Sequence, residues 1–198
     1  MLFNSYIFIF LFLPLCLAGY YMLVHFQKGV AARIWLTAFS WWFYGYFNSS
    51  YLMIMLCSIL FNYAVFCGLG KLGGQEGKGR LRQRKLLFLL GIGCNLAVLF
   101  YFKYFDFFIE NINTAFGKSL PLKGILLPLG ISFFTFQQIG FLADAYRGEL
   151  KKCSFSNYAL FVSFFPQLIA GPIVNHQEMM PQLRLLNISA GQSKSLLK

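Results

Sequence analysis

Two apolar stretches, LLPLGISFFTFQQIGFLADAYRG (residues 126–148) and NYALFVSFFPQLIAGPIVNHQEMMPQ (residues 157–182), decide which fold this chain can adopt. Each is apolar enough to lie in a membrane, yet helix-breaking residues interrupt both: Pro128, Gly130, Pro166, Gly171 and Pro172. In hydrocarbon a broken helix is tolerated only where the freed backbone groups face protein or a water-filled cavity. Side chains that are costly in lipid lie in the same stretches and should point inward: Gln137, Gln138, Asp144, Gln167 and His176. We therefore expect broken or re-entrant helices around a place where something polar is handled.

The composition excludes a soluble globular domain. Of the 198 residues, 58% are hydrophobic and only 12% are charged, whereas globular domains carry about 25% charged residues. The excess of apolar side chains must face lipid. The sequence predicts an all-α fold, a polytopic membrane helical bundle of about five to six membrane segments, in a single domain over residues 1–198.

Uninterrupted apolar runs predict where the membrane segments lie. Residues 2–24 contain no charge and exceed the roughly 20 residues that span a bilayer. Because no Lys or Arg precedes Lys28, this run is expected to be a retained helix and not a cleaved signal peptide. Further spans are predicted at residues 34–47, 51–69, 86–105 and 125–143, and residues 158–174 either cross or re-enter. Residues 106–123 are expected outside.

The basic residues predict the orientation of the chain. Residues 71–85, KLGGQEGKGRLRQRK, contain six basic residues against Glu76 alone. Such a run would bind nucleic acid or anionic lipid, or it would be a cytoplasmic loop that fixes the topology. The second interpretation is favoured because two crossings return the chain to the side of Lys28 and Arg33. We therefore expect no nucleic-acid partner, and an N-terminus outside.

Few side chains offer chemistry. His176 has Glu178 two residues on, which would orient it in an extended segment, but it would equally be a polar residue at a membrane exit. Gln137 and Asp144 lie seven residues apart, share a helix face and would line a polar channel with Arg147. Alternatively, Asp144 and Arg147 form an interfacial ion pair. The five cysteines show no metal-ligand spacing, and no metal site is expected.

Three motifs carry a family resemblance: LPLGISFFTFQ (127–137), DAYRG (144–148) and FFPQLIAGPIVNHQEMMPQ (164–182). They resemble the membrane-bound O-acyltransferases, in particular the bacterial alginate O-acetylase branch. The resemblance implies a multi-pass protein of the bacterial inner membrane, surrounded by lipid. It also implies that an acetyl group from a cytoplasmic donor, acetyl-CoA, passes between helices to an exported polysaccharide, or to periplasmic acetylation proteins. No tightly bound cofactor is expected.

The resemblance also implies roles for single residues. Channel or family-motif positions would be Gln137, Asp144, Tyr146, Arg147, Pro166, Gln167, Gly171, Pro172 and Glu178. Relatives of this kind are more than twice as long and carry a catalytic histidine in a Trp-His-Gly context, which is not present in these residues. We therefore expect the N-terminal part of an acyltransferase, with no catalytic residue of its own unless it is His176, and inactive alone. The alternative is a multi-pass transporter or export subunit for a polysaccharide or lipid, because transporters share such broken helices.

Overall fold

The computed structural model describes residues 4–73, 78–150 and 152–170, and every regular element among them is a helix. A π-helical turn (Phe8–Phe12) leads into α1 (Leu13–His25). Then follow α2 (Gly29–Phe47), α3 (Ser49–Leu72), α4 (Lys78–Lys103), α5 (Phe105–Phe116), α6 (Ile131–Arg147), α7 (Phe155–Ser163) and α8 (Phe165–Ala170). The predicted all-α fold is confirmed.

Three of these helices are long and apolar enough to cross a membrane: Phe8–His25, Ser49–Leu72 and Gly79–Lys103. In the first and in the third of these helices, only 17% of the most hydrophobic 18-residue segment is buried in the protein. Most of their apolar side chains are therefore available to lipid, as expected of helices in a membrane bundle. The count of five to six segments stays a prediction.

The prediction that the basic residues 71–85 form a loop is wrong. Helix α3 continues to Leu72, and α4 already begins at Lys78. The reason is that Arg, Leu, Gln and Lys, which make up residues 80–85, are strong helix formers. Their long side chains can also carry a charge from the end of a membrane helix to water. Basic residues therefore occupy the first turns of a spanning helix.

Two further boundaries differ from the prediction because of helix breaks. Helix α6 starts at Ile131 and not near residue 125, since Gly130 adopts a left-handed conformation (φ 67°) and precedes it. Helix α7 ends at Ser163, and Phe164 (ψ 107°) separates it from α8. Pro166 lies in the first turn of α8, where its missing N–H costs nothing. The interruption expected at Gly130 is thus confirmed, and the one expected at Pro166 lies two residues earlier, at Phe164.

The described residues fall into two compact units. The first contains the chain up to Ile59 and from Lys152 onward, and the second begins at Leu60 and contains the chain before Lys152. The prediction of a single domain over residues 1–198 stays a prediction.

In the first unit, aromatic rings hold the start of α8. Phe8, Phe12, Phe39 and Phe43 form a buried cluster with Phe165. The rings of Phe12 and Phe165 are 5.3 Å apart and nearly perpendicular. The backbone N–H of Phe165 donates to Ser40 Oγ of α2 at 3.4 Å. A neighbouring helix therefore satisfies a backbone group at the helix break, as a membrane environment requires.

In the second unit, α4 and α6 pack closely. A Cβ atom added to Gly91 of α4 would lie 2.9 Å from Leu142 Cδ1 of α6 and 3.1 Å from Val65 Cγ1 of α3. Because Gly91 has no side chain, helices α3, α4 and α6 can approach one another closely at its position. The candidate site is built around these three helices.

Candidate functional site

Helix α6 carries two of the three motifs, and nine of its 17 residues are buried. Four of the buried side chains are polar, namely Thr135, Gln137, Gln138 and Asp144. Burying that many polar groups in one membrane-associated helix is expensive unless each has a partner. The partners of these side chains therefore define the site.

Three amides on three helices form what we call the amide cluster: Asn62 of α3, Asn95 of α4 and Gln138 of α6. Asn62 Nδ2 donates to Asn95 Oδ1 at 3.1 Å and also to Gln138 Oε1. Asn95 Nδ2 donates to Asn62 Oδ1 at 2.6 Å and to the carbonyl oxygen of Gly91 at 2.8 Å. All three side chains are buried. The cluster fixes the register of α3, α4 and α6. If one helix shifted along its axis, its buried amide would lose its hydrogen-bond partners.

Sequence reasoning missed Asn62 and Asn95 as site residues. The signal was present, since each is a single strongly polar side chain in the apolar middle of a long helix. A polar residue inside a membrane span is expected to face inward and to have a partner. That rule would have selected both residues without naming their contacts.

Gln137 and Gln167 are buried, as the sequence predicted. In both, the amide nitrogen and oxygen have no hydrogen-bond partner among the described residues. Gln137 lies on α6, in the second unit, and Gln167 lies on α8, in the first. A buried amide without a partner costs about 1–3 kcal/mol, so both are candidates for contacts with a group outside the described part of the chain.

A cavity of about 330 Å³ opens at the C-terminal end of α6, and we call it the basic pocket. Its lining residues are Phe66, Leu69, Gly70, Gly73, Arg84, Ala145, Arg147, Gly148 and Leu150. Two arginine residues, Arg84 and Arg147, therefore line one small cavity. Glu149, an acidic residue at the same helix end, is not among the lining residues.

Arg84 of α4 caps α6. Its Nη2 donates to the carbonyl oxygens of Ala145, at 3.2 Å, and of Tyr146, at 2.7 Å. The guanidinium also lies 5.2 Å from the centre of the Tyr146 ring, which stacks on Phe88 at 4.4 Å. A cation at a helix C-terminus is stabilised by the carbonyl groups that end there. Tyr146, a motif position, thus has a contact that helps to fix Arg84.

Helix α6 ends in a glycine motif beside an ion pair. Gly148 has φ 85°, and the N–H of Glu149 donates to the carbonyl of Asp144 at 3.0 Å. Arg147 Nη1 lies 3.9 Å from Asp144 Oδ1, with Asp144 mostly buried and Arg147 exposed. The contact between Asp144 and Arg147 that the ion-pair interpretation requires is therefore present. Arg147 lines the basic pocket, whereas Gln137 and Asp144 do not, so a channel shared by all three stays a prediction.

The remaining predicted residues are less informative. Gly171, Pro172, His176 and Glu178 lie outside the described residues, and Pro166 belongs to α8 in the first unit. Within the described part of the chain, no group of three or more His, Cys, Asp or Glu residues is placed to hold a metal ion.

Comparison with known proteins shows clear relatives. The chain is 38% identical to a peptidoglycan O-acetyltransferase of Helicobacter pylori, over 93% of its own length. It is 37% identical to the "probable alginate O-acetylase AlgI" of Pseudomonas putida, and 35% identical to the protein of that name from Azotobacter vinelandii, over 92% of its length in each case. No protein-family profile and no solved structure matches it.

The chain spans 36% to 39% of the length of these three relatives. Within that share the similarity runs through nearly all of its residues, so it includes the amide cluster and the motif helix α6. The comparisons therefore confirm that the chain resembles the membrane-bound O-acyltransferases, in the alginate O-acetylase branch.

Proposed function

We propose that these residues form part of a membrane O-acetyltransferase that transfers acetyl groups to hydroxyl groups of an exported polysaccharide. The observation that carries the proposal is the similarity, over more than nine-tenths of the chain, to proteins named for O-acetylation of two different polymers. The two names share the acetyl group and a carbohydrate acceptor. An alginate-like acceptor, periplasmic partner proteins and a place in the bacterial inner membrane are part of the proposal.

We propose acetyl-CoA as the donor, since it is made on the cytoplasmic side while the acceptor is outside. In the reaction, the hydroxyl oxygen attacks the acetyl carbon and its proton goes to a base. An ester C–O bond forms, the thioester C–S bond breaks, and coenzyme A leaves as a thiolate that takes up a proton. The basic pocket supports donor entry at this end of α6, because guanidinium groups bind phosphates well. Arg84 is engaged with backbone carbonyls. Arg147 lies 3.9 Å from the Asp144 carboxylate but is 66% exposed, so it is the cation more open to a ligand.

Gln137 is proposed to face the path of the acetyl group. Its buried amide, which has no partner among the described residues, offers two N–H donors in an apolar setting. Donors fixed in a site without water stabilise developing negative charge on a carbonyl oxygen far better than they do in water. The proposal gives Gln137 a positioning or stabilising role, and it assigns no base to the described residues.

Deleting the gene for the protein that contains this chain tests the proposed activity. O-acetyl esters released by alkali are then measured separately from exported polysaccharide and from peptidoglycan. We expect loss of acetyl from one polymer, with normal polymer export. Unchanged acetylation together with lost export would contradict the proposal and favour the transporter alternative.

A matched pair of variants tests the role of Gln137. Gln137→Leu removes both amide atoms at nearly constant volume and should lower acetylation strongly at normal protein levels. Phe136→Leu changes an exposed neighbour on the same helix and should leave acetylation unchanged. Equal acetylation in the two variants would remove Gln137 from the acetyl path.

A further inference from the structure

Helix α5 follows a spanning helix almost without a break. Only Tyr104 separates it from α4, whose last turns carry Tyr101, Phe102 and Lys103. Aromatic and basic residues at the end of a span mark the boundary between hydrocarbon and water. The chain therefore enters α5 at the level of the lipid headgroups.

The helix has two unlike faces. At 100° per residue, one face gathers its most apolar side chains: Phe105, Phe108, Ile109, Ile112 and Phe116. The opposite side carries Glu110, Asn111 and Thr114. None of the 12 residues is buried by the described part of the chain, and Phe116 is 72% exposed. A globular protein would normally cover such a face.

The loop after α5 folds back along one flank of the helix and leaves Phe108 and Phe116 of the apolar face exposed. The Asp106 carboxylate accepts hydrogen bonds from the N–H groups of Lys123 and Ile125, each at 2.9 Å. Seven residues on, Asn113 exchanges two hydrogen bonds with the backbone of Leu120, at 2.8 and 2.9 Å. Asp106 and Asn113 lie on one stripe of the helix, so the loop is tied to that stripe.

The apolar face of α5 continues the lipid-facing surface of α4. The Phe108 ring lies 5.0 Å from that of Phe100, an α4 side chain that is itself 44% exposed. Lys123 Nζ lies 4.7 Å from the centre of the Phe105 ring, and Lys103 Nζ lies 5.4 Å from that of Tyr104. Lysine and aromatic side chains in contact are typical of the interface between hydrocarbon and water.

We propose that α5 is an interfacial helix, which lies in the headgroup region of the membrane with its apolar face toward the acyl chains. Its occupant is the phospholipid surface of the bilayer. The proposal rests on the continuity with α4, on the exposed Phe108 and Phe116, and on the lysines beside Tyr104 and Phe105. An interfacial helix of this kind is defined by one apolar and one polar face. It would hold the connection between α4 and α6 against the bilayer and thereby fix the level at which α6 begins.

Photocrosslinking in cells that produce the intact protein tests this proposal. Cells are grown with ³²P-phosphate, and p-benzoylphenylalanine replaces Phe108, Phe116 or Phe107 in turn. Phe107 is the matched control, because it is the same residue type and also exposed but lies on the polar side of the helix. After irradiation the purified protein is measured for covalent ³²P-phospholipid. Leu89, an exposed residue of the α4 span, serves as the positive control.

We expect phospholipid adducts from positions 108 and 116 at several times the yield from position 107. Equal yields at all three positions would overturn the proposal, since α5 would then have no lipid-facing side. Protein adducts from positions 108 and 116 would also overturn it and would show a polypeptide on the apolar face. No adduct at these positions, with clear labelling at Leu89, would place α5 in water and overturn it as well.

Discussion

Asn62 shows how a single polar residue organises the second unit. Its side chain bonds both Asn95 and Gln138, and all three are buried in apolar surroundings. Hydrogen bonds between helices in membranes are worth about 0.6 kcal/mol on average and up to about 1.7 kcal/mol. Losing one partner costs more than that average, because the groups left behind are buried and cannot turn to water.

Replacing Asn62 by Leu should therefore destabilise the protein by about 1–2 kcal/mol. The thermal unfolding midpoint in detergent is the measurement. Asn111→Leu is the control, since that amide is exposed and, among the described residues, donates only to its own helix, and it should have little effect. The double variant Asn62→Leu with Asn95→Leu leaves fewer buried amides without a partner. Its loss of stability should therefore be smaller than the sum of the losses in the two single variants. If the two single losses of stability simply added up, the amides would not act as one unit.

Local spacing revealed some of these contacts and not others. Asp144 and Arg147 are three residues apart, and that spacing made an ion pair one of the two interpretations of these residues. The partners in the amide cluster are 33 and 76 residues apart. A helical pattern tells which face of a helix is buried, but it does not tell which other helix lies against that face. The inward direction of Gln137 and Gln167 was therefore predictable, whereas the Asn62–Asn95 pair was not.

Gly148 decides where α6 ends. Its φ of 85° is left-handed, and no heavy atom lies within 4 Å of the position a Cβ would take. Gly148→Ala should therefore cost about 1–2 kcal/mol through backbone strain alone. Gly140 lies inside α6 and is equally uncrowded, so Gly140→Ala should be neutral or stabilising, by up to about 1 kcal/mol. Thermal unfolding of the two variants gives the comparison, and equal losses would argue against a strained helix end.

The connection after α5 should depend on pH through Asp106. Hydrogen bonds from the N–H groups of Ile125 and Lys123 hold the pKa of this carboxyl below its ordinary range. A lowered pKa means that the stabilisation is present above the ordinary pKa of aspartate and is lost as the pH falls through the lower folded value. Hydrogen-exchange protection of the Lys123 and Ile125 amides, corrected for intrinsic rates, should fall in that acidic window. Asp106→Asn should show weak protection and no such dependence, and protection that persists in this variant would contradict the role of the carboxylate.

Helix breaks were easier to predict than helix starts. Gly130 and Pro166 indicated interruptions, and α6 and α8 begin beside them, because glycine and proline act through local backbone geometry. The start of α4 at Lys78 was not predicted. Hydropathy marks where lipid contact ends, but a helix with basic side chains can continue beyond that point into the interface.

For the whole molecule, the distribution of basic residues predicts that the junction of α3 and α4 is cytoplasmic. Lys71 lies in the last turn of α3, and five basic residues from Lys78 to Lys85 lie in the first turns of α4, which matches the excess of Lys and Arg in cytoplasmic segments. In a variant without native cysteines, a cysteine at Gln75 should react with a membrane-impermeant reagent only after the cells are opened. A cysteine at Asn111, on α5, should react in intact cells. Reaction of Gln75 in intact cells would reverse the topology.

The last prediction concerns the chain expressed alone. The described part of the chain contains three helices long and apolar enough to span a membrane, so the chain should insert. However, Gln137 and Gln167 are buried with no hydrogen-bond partner among the described residues, and relatives are more than twice as long. Each such amide costs about 1–3 kcal/mol, so the bundle should be loose and readily degraded.

The chain should also transfer no acetyl group, because it lacks a histidine in the Trp-His-Gly context that the family resemblance implies. The test expresses residues 1–198 in a strain without the full-length enzyme and measures acetyl on the exported polymer. The same strain carrying the full-length gene is the control and should regain acetylation. Acetylation restored by residues 1–198 alone would place the chemistry within them. His176 would then become the leading candidate for the base, since His25, the other histidine, lies in the last turn of α1.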